Sequence, residues 1–230
     1  MTTALVLAAG KATRLVGLRE RWAKACVPVG TTTPLGFLLP RLFEAGVDHA
    51  ILNLHYKPEQ VERLARTVAP EGMHLSFLRE SALLGTGGTL AAAADRHELP
   101  DLIVNAKVFT DFNFRAVLAL PAPAVVVHPP SDLSVFGGFC FREGRLIGLR
   151  PAGPPRREPG CAVFTGISRP AEAWLPYLHA ALREDPEAPL CLVRDALLPA
   201  LVDGIPVRVL PHRGTWFEIS TPERLEEARE

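Results

Sequence analysis

The first half of the chain alternates short apolar runs with amphipathic segments, and this alternation limits the folds open to it. Four apolar runs have the length and composition of buried strands. They are Ala4–Ala9, His49–His55, His74–Arg79 and Leu102–Asn105. Three helical patterns lie between them, over Pro34–Val47, Pro58–Val68 and Thr89–Arg96. Strands separated by helices pair in parallel through right-handed crossovers, so the sequence predicts an α/β fold.

The second half is less regular, with more short strands and fewer helices. The predicted strands are Ala124–His128, Val135–Phe141, Leu146–Leu149, Ala162–Ile167, Val207–Pro211 and Thr215–Ile219. The predicted helices are Glu172–Arg183, Val193–Val202 and a closing helix that Ser220 or Thr221 caps. Pro151–Pro159 is rich in Pro and Arg and is predicted to be a loop. No repeat or linker interrupts the chain, so we expect residues 1–230 to form a single domain.

Charge and cysteine content exclude several classes of protein. The 25 basic residues are balanced by 25 acidic ones, which argues against a nucleic-acid partner. The four cysteines form no C-x-x-C pair, and we expect free thiols in a reducing compartment. Ala4–Ala9 is too short for a signal or a membrane span, and no charged leader precedes it. We therefore expect a cytoplasmic protein without a membrane partner, as a monomer or homodimer.

A glycine-bearing loop follows the first predicted strand. The run from Leu5 to Arg14 reads LVLAAGKATR. Open α/β sheets bind ligands at the carboxyl ends of their strands. Gly10 allows the backbone to approach a nucleotide closely, while Thr13 and Arg14 can donate to phosphate. The loop is not a Walker P-loop, and alanine at position 12 excludes the G-x-G-x-x-G fingerprint.

Ten residues after Arg14, Lys24 lies in the run WAKACVPVG. The two runs together resemble the opening of nucleotidyltransferases that join an NTP to a sugar 1-phosphate, L-A-A-G-x-G-T-R-L and then P-K-P-L-x-P-V. The resemblance implies a Rossmann-like three-layer sandwich with a mixed, mostly parallel central sheet, of the nucleotide-diphospho-sugar transferase type. It implies that Arg14 and Lys24 are catalytic and bind phosphate. It also implies nucleotide contacts for Ala8, Ala9, Gly10 and Thr13.

Further matches extend from about residue 3 to residue 229. Gly85–Leu90, GTGGTL, resembles the family's second glycine loop, although a plain loop before a helix would read similarly. Phe164–Ile167 is similar to the strand that lines the acceptor-sugar pocket, and Gly214–Leu225 resembles the closing W-x-D-I-G-T-P-E-R-L. The similarity is greatest to short uridylyl- and guanylyltransferases, such as those acting on N-acetylmuramate 1-phosphate and mannose 1-phosphate. The residues that these matches imply are Gly85, Thr86, Gly87 and Gly88 for the nucleotide and Gly166 for the sugar phosphate.

The metal site departs from the family pattern. In the family, Mg²⁺ is held by the aspartates of N-G-D and W-x-D-I-G, whereas this chain has Asn105-Ala106-Lys107 and Glu218. A charged lysine cannot ligate Mg²⁺ and repels it, so Lys107 stands at a lost ligand position. Glu218 keeps its charge as a weaker metal contact, and Asn105 is implied to help order the nucleotide site. Alanines 12, 23 and 25 also replace a glycine and two prolines of the pattern.

Three interpretations of Lys107 stay open. It points away and leaves Glu218, Asp111 and the ligand phosphates to hold a weaker metal. Its ammonium neutralises phosphate in place of the metal. Or the protein binds a nucleotide or sugar nucleotide in a regulatory role without turnover. We expect a nucleotidyltransferase that makes an NDP-sugar and pyrophosphate, with NTP and sugar 1-phosphate as partners and Mg²⁺ as an uncertain cofactor.

Overall fold

A computed structural model of the protein describes residues 1–15, 17–129, 133–153 and 160–228. The strands are β1 (Thr3–Leu7), β2 (His49–Leu54), β3 (His74–Arg79), β4 (Leu102–Asn105), β5 (Val108–Thr110), β6 (Ala124–His128), β7 (Gly138–Arg142), β8 (Arg145–Arg150), β9 (Cys161–Arg169), β10 (Arg208–Pro211) and β11 (Trp216–Glu218). The α-helices are α1 (Pro34–Glu44), α2 (Pro58–Val68), α3 (Gly85–Arg96), α4 (Phe114–Leu118), α5 (Leu133–Phe136), α6 (Leu175–Glu184), α7 (Leu198–Val202) and α8 (Pro222–Glu227). Short 3₁₀ turns cover Lys24–Cys26 and Glu172–Trp174, and a π-helical turn covers Val193–Leu197.

The chain falls into two compact units. The first comprises Met1–Leu83, Ile103–Arg115 and Thr215–Glu230, and the second comprises Leu84–Leu102 and Ala116–Gly214. In the first unit the strand order is β3-β2-β1-β4, and β1–β2 and β2–β3 pair in parallel. A separate antiparallel pair joins β5 to β11. The alternation of strands and helices thus predicts the parallel pairing of this unit correctly.

The core of the first unit lies along its central strands and the inner face of α1. All six residues of β2 are buried, as a strand covered on both faces requires. Helix α1 begins at Pro34, where the Thr33 side chain accepts a hydrogen bond from the Gly36 N–H. Its buried leucines recur at helical spacing, at positions 35, 38, 39 and 42. Pro40 lies inside α1, which continues through it from Pro34 to Glu44.

The second unit has mostly antiparallel pairing, in contrast to the expectation of a mostly parallel sheet. Its strand order is β9-β6-β10-β8-β7, and β7 also pairs with β9. Among the strand pairs described for this unit, only β6–β10 is parallel, whereas β6–β9, β8–β10, β7–β8 and β7–β9 are antiparallel. The short strands joined by tight turns, such as β7 and β8, can only pair in this way.

Two further expectations for the second unit are wrong. Val135–Phe141 was predicted as one strand, but α5 ends at Phe136 and β7 begins at Gly138, because Gly137 with φ +68° turns the chain between them. The cysteines were expected to be free, but Cys140 and Cys161 form a disulfide. These two residues lie directly opposite each other on β7 and β9, which their spacing in sequence does not reveal.

Two other expectations concern the loop at Pro151–Pro159 and the crossing of a membrane. The predicted loop at Pro151–Pro159 falls partly on residues 154–159, which lie outside the described residues. Within the described residues, no helix has both the length and the apolar character needed to cross a bilayer.

Candidate phosphate-binding site

Lys107 and Glu218 form an ion pair at the junction of β5 and β11. The Lys107 ammonium lies 2.8 Å from Oε1 of Glu218, and their side chains are 26% and 8% exposed. Antiparallel register sets this distance, because Glu218 is opposite Val108 and the Ile219 N–H donates to the Lys107 carbonyl. The Ala106 N–H donates to the Leu7 carbonyl, which ties this turn to the end of β1. Lys107 therefore lies beside the start of the glycine-bearing loop.

The closing motif, Gly214–Leu225, holds the backbone of Glu218 in place. Arg224 Nε donates to the Glu218 carbonyl at 2.9 Å, and its guanidinium lies 5.6 Å from the centre of the Trp216 ring. Helix α8, which carries Arg224, begins at Pro222, and the Thr221 side chain caps it by accepting from the Arg224 N–H. The predicted cap at Thr221 is thus confirmed. The Trp, Thr, Pro and Arg of this motif hold the strand that presents Glu218.

Lys24 is a half-buried cation. It opens the 3₁₀ turn Lys24–Cys26, and within the described residues its ammonium makes no hydrogen bond or ion pair. Burial lowers the pKa of Lys24 to about 8, and the charges of Lys107 and then Arg14 lower it as well, while Glu218 raises it. The structure therefore gathers Arg14, Lys24, Lys107 and Glu218 closely enough for their charges to interact. Three cations face one carboxylate in this group.

Helix α2 holds the segment that carries Lys24. The Ala23 N–H donates to Gln60 Oε1 at 2.5 Å, and Gln60 Nε2 donates to the Arg21 carbonyl at 3.0 Å. The Tyr56 hydroxyl donates to the Arg19 carbonyl at 2.8 Å. Proline at position 23, which the family pattern has, would offer no N–H to Gln60. The alanine thus permits a hydrogen bond that fixes the residue before Lys24.

Two buried polar residues, Asn53 and Glu80, support the start of the glycine-bearing loop, and the sequence analysis missed them. Asn53 Oδ1 accepts from the N–H groups of Ala8 and Ala9 at 2.6 and 3.2 Å, and Asn53 Nδ2 donates to Glu80 Oε1 at 2.8 Å. Because those two N–H groups are occupied, they are not available as donors to a nucleotide. A polar residue inside the apolar run of β2 was the signal that could have identified Asn53.

The tip of the loop is open. A Cβ built on Gly10 would meet no atom within 4 Å, so packing within the protein does not explain glycine there. Thr13 and Arg14 are exposed, and the Arg14 guanidinium makes no hydrogen bond within the part of the chain that the structure describes. Ala12 has a left-handed backbone, with φ +52°, and its methyl group is buried.

The donor set at this site does not fit Mg²⁺. Mg²⁺ is usually held by one or two carboxylates together with water and ligand phosphates, but the Glu218 carboxylate is already paired with Lys107, whose ammonium repels a dication. No group of three or more His, Cys, Asp or Glu side chains in the described ranges is placed to hold a metal ion. The first interpretation of Lys107, in which it points away from Glu218, therefore disagrees with the geometry. Asn105 is half-buried at the end of β4, and Lys107 follows it two residues later.

The predicted residues of the second unit have packing roles of their own. Gly85 opens α3, so the run expected to be a loop forms the first turn of the helix. A Cβ on Gly85 would lie 2.3 Å from the Leu190 carbonyl oxygen, so glycine is required there, whereas a Cβ on Gly87 would lie 2.8 Å from Leu178 Cδ2 and 3.2 Å from the backbone of Cys191, which leaves little room for a side chain. The Thr86 hydroxyl accepts from the Leu192 N–H, and Gly88 is buried.

Gly166 also has a structural reason to be glycine. It has φ +80° within β9, where the pairing of β6 with β9 shifts register. Thr165 beside it donates to the Val126 carbonyl at 2.9 Å and accepts from the Ile167 N–H. The expectation of a sugar-phosphate contact at Gly166 stays a prediction.

Several known proteins are similar to this chain in sequence. Residues 3–124 match the model of the nucleotidyl transferase family. The chain is 25% identical over 231 residues to the catalytic subunit beta of a mannose-1-phosphate guanylyltransferase from Drosophila pseudoobscura pseudoobscura, covering 96% of this chain and 60% of that protein. It is 36% identical over 93 residues to a mannose-1-phosphate guanylyltransferase from Mycobacterium tuberculosis, covering 40% of this chain and 26% of that protein. The chain thus spans about three fifths or less of the length of these curated relatives.

Solved structures share the fold at low sequence identity. UDP-glucose pyrophosphorylase from Acinetobacter baumanii matches all of this chain and 92% of its own, with a TM-score of 0.81 and 15% identity. HddC from Yersinia pseudotuberculosis in complex with GMP-PN matches with a TM-score of 0.76 and 18% identity, over 100% of this chain and 98% of its own. The family match covers more than half of the chain and includes the glycine-bearing loop, Lys24 and Lys107. The chain belongs to the nucleotidyl transferase family.

Proposed function

We propose that this protein transfers a nucleotidyl group from an NTP to a sugar 1-phosphate, giving an NDP-sugar and pyrophosphate. The observation that carries the proposal is the cluster of Arg14, Lys24 and Lys107 around one carboxylate, at the glycine-bearing loop. Lys24 is half-buried without an ion-pair partner in the described chain, and such a charge is costly unless an anion compensates it. A bound polyphosphate supplies the compensating negative charge.

The proposed reaction needs positioning and charge neutralisation more than covalent help. An oxygen of the sugar phosphate attacks the α-phosphorus of the NTP, and the bond from that phosphorus to the bridging oxygen breaks to release pyrophosphate. Arg14, with five N–H donors, and Lys24 would stabilise the negative charge on the phosphates. Gly10 would let the loop backbone approach the nucleotide, and Thr13 would donate to it.

The remaining assignments rest on the resemblance of the motifs. Ala8 and Ala9 would shape the nucleotide pocket rather than donate to the ligand, since Asn53 occupies their N–H groups. Asn105 would order the same pocket. Gly85, Thr86, Gly87 and Gly88 stay proposals for the nucleotide, as Gly166 does for the sugar phosphate.

One observation favours a second candidate function, binding of a nucleotide or sugar nucleotide without turnover. The carboxylate at the family's second metal position is paired with a lysine, and among the residues that the structure describes no group of three or more His, Cys, Asp or Glu side chains is placed to hold a metal ion. In that case the cationic cluster would serve recognition alone, and the protein would act as a regulatory or binding subunit.

Pyrophosphate release separates the two functions. The wild-type protein would be assayed with each of four NTPs and a panel of sugar 1-phosphates, in the presence of Mg²⁺, Mn²⁺ or EDTA. We expect release in one pairing of NTP and sugar. Folded protein that binds an NTP in calorimetry but releases no pyrophosphate in any mixture would favour the binding function. Protein that neither binds nor turns over any NTP would contradict both.

A further inference from the structure

We propose that the Lys107 ammonium, held in place by Glu218, takes the position of a divalent cation, so that the protein binds its nucleoside triphosphate free of metal. This inference rests on the proposed function, because it concerns the same phosphate site. It goes further by naming the form of the ligand, a triphosphate without bound Mg²⁺. The inference is motivated by a mismatch: the family pattern holds Mg²⁺ at this site, but the side chains of this chain do not suit a metal ion there.

The ion pair is built into the backbone on both sides. The Ile219 N–H donates to the carbonyl of Lys107, and Arg224 Nε donates to the carbonyl of Glu218. The antiparallel register of β5 and β11 places Glu218 opposite Val108, the residue that follows Lys107. These contacts restrain both backbones, and the Glu218 carboxylate that the Lys107 ammonium approaches to 2.8 Å is nearly buried, so the pair is not a surface contact between two exposed side chains.

Because the Glu218 side chain is nearly buried, an ion pair between Lys107 and Glu218 is favoured over a metal site. The Glu218 side chain is only 8% exposed, so its charge needs a partner, and Lys107 supplies it. A metal ion would have to displace Lys107 from Glu218, and the freed ammonium would then lie close to a dication. Lys24, which makes no ion pair in the described chain, would add a second repulsion.

The positive charges of Arg14, Lys24 and Lys107 also favour a metal-free triphosphate over its Mg²⁺ chelate. Chelation of Mg²⁺ neutralises part of the negative charge of a triphosphate, and the chelate carries its cation into the site. A metal-free triphosphate keeps its full charge for Arg14, Lys24 and Lys107. Charge-assisted hydrogen bonds from ammonium and guanidinium groups to phosphate oxygens are the stronger class of such bonds. The metal-free form is therefore the better ligand for this cluster.

Calorimetric titration of the full chain tests the inference. Each of four NTPs would be titrated into the wild-type protein in EDTA and in excess MgCl₂. We expect the NTP that binds best to have a Kd at least about tenfold lower in EDTA, the equivalent of one charge-assisted contact. The variant Lys107→Asp places a second carboxylate beside Glu218, and we expect it to reverse the order, with tighter binding in MgCl₂. Lys57→Met removes an ammonium at the N-cap of α2 that is not among the charges acting on Lys24, and this variant should keep the wild-type ratio.

The outcomes separate this inference from the proposed function. Wild-type binding that is tighter in MgCl₂, or equal in the two buffers, would overturn the inference and leave the proposed function standing. Absence of binding to any NTP in both buffers would overturn the two together. If Lys107→Asp does not fold, Lys107→Met/Glu218→Gln removes both charges at once. That double variant is expected to bind NTP more weakly in EDTA by at least about tenfold, and an unchanged Kd would overturn the inference.

Discussion

The ammonium of Lys107 lies 2.8 Å from a carboxylate oxygen of Glu218, where relatives of this chain are expected to hold a metal ion. The family pattern has two carboxylates at this place, whereas this chain has an ammonium and one carboxylate. Together with the nearby charges of Arg14 and Lys24, this makes the site cationic. The chain keeps the loop and the closing motif of its family around this altered centre. Its stability, pH dependence and ligand affinity should all respond to these few residues.

Breaking the ion pair should cost stability. Lys107→Met leaves the buried Glu218 carboxylate without its partner, and we expect a loss of about 2–3 kcal/mol in the free energy of unfolding. Lys107→Met/Glu218→Gln should lose less, because no isolated charge is left buried. Urea unfolding of the wild type, both single variants and the double variant measures the coupling. Additive losses in this cycle would contradict a direct interaction between the two side chains.

NTP affinity should fall as pH rises through the pKa of Lys24. Burial lowers this pKa from 10.5 to about 8, and Lys107 lowers it as well, so the free protein loses the Lys24 charge above about pH 8. The unfolded chain keeps the proton up to its ordinary pKa, so this group makes stability rise with pH between about 8 and 10.5. Titration calorimetry over a pH series measures the affinity.

Two variants check that Lys24 causes this pH dependence. Lys24→Arg should flatten the profile, because a guanidinium stays charged throughout. Glu218→Gln should move the fall to lower pH, because Glu218 raises the pKa of Lys24. A wild-type affinity that is constant from about pH 7 to about pH 9 would contradict the assignment of Lys24 to phosphate.

Arg14 should contribute directly to phosphate binding. Arg14→Ala should raise the Kd for NTP at least about tenfold, since a charge-assisted hydrogen bond contributes about 1.5–3 kcal/mol. Arg14 is exposed and makes no hydrogen bond in the described chain, so the free energy of unfolding should hardly change. Arg63→Ala, on the exposed face of α2, is the matched control. Equal affinities for the two variants would remove Arg14 from the site.

Gln60 should act by positioning Lys24. Gln60→Ala removes the acceptor of the Ala23 N–H and the donor to the Arg21 carbonyl, and we expect NTP binding to weaken several-fold. Adding Ala23→Pro should recover affinity, because proline fixes φ near the −64° that Ala23 already has and needs no acceptor. Binding is measured by calorimetry beside thermal unfolding. Failure of the second change to restore binding would show that Gln60 has another role.

Ala12 should tolerate glycine better than a larger residue. With φ +52°, alanine carries a left-handed strain of about 1–2 kcal/mol, which glycine relieves. Glycine also loses a methyl group buried in the cluster of Leu15, Val27 and Ile219, worth about 1 kcal/mol. Ala12→Gly should thus lie within about 1 kcal/mol of the wild type, whereas Ala12→Val should lose more than about 2 kcal/mol. Urea unfolding ranks the variants, and equal stability of glycine and valine would exclude the left-handed conformation.

Local patterns predicted much of the first unit. Helix Pro58–Val68 and strands His74–Arg79 and Leu102–Asn105 have the predicted bounds, because each has a clear apolar period and a Pro, Gly or polar stop. The pattern failed where long-range contacts decide. Val135 and Phe136 are apolar enough for a strand, but Gly137 turns the chain after α5.

The motifs located the candidate site but not its internal contacts. The resemblance of the motifs to the family implied one site for Arg14, Lys24, Lys107 and Glu218, and Lys24 interacts electrostatically with the other three. The direct pairing of Lys107 with Glu218 depends on the register of β5 and β11, which the sequence does not encode locally. Asn53 and Gln60 were missed for the same reason, since each reaches a segment about 40 residues away in sequence.

A crystal structure with a non-hydrolysable NTP analogue, grown in MgCl₂, tests the account most directly. We predict phosphate oxygens within about 2.7–3.2 Å of the ammonium groups of both Lys24 and Lys107, with Lys107 still paired to Glu218. An octahedral metal ion on Glu218, with Lys107 turned away from the phosphates, would contradict the replacement of the metal by Lys107. Phosphates bound away from Lys24 would contradict the phosphate site itself.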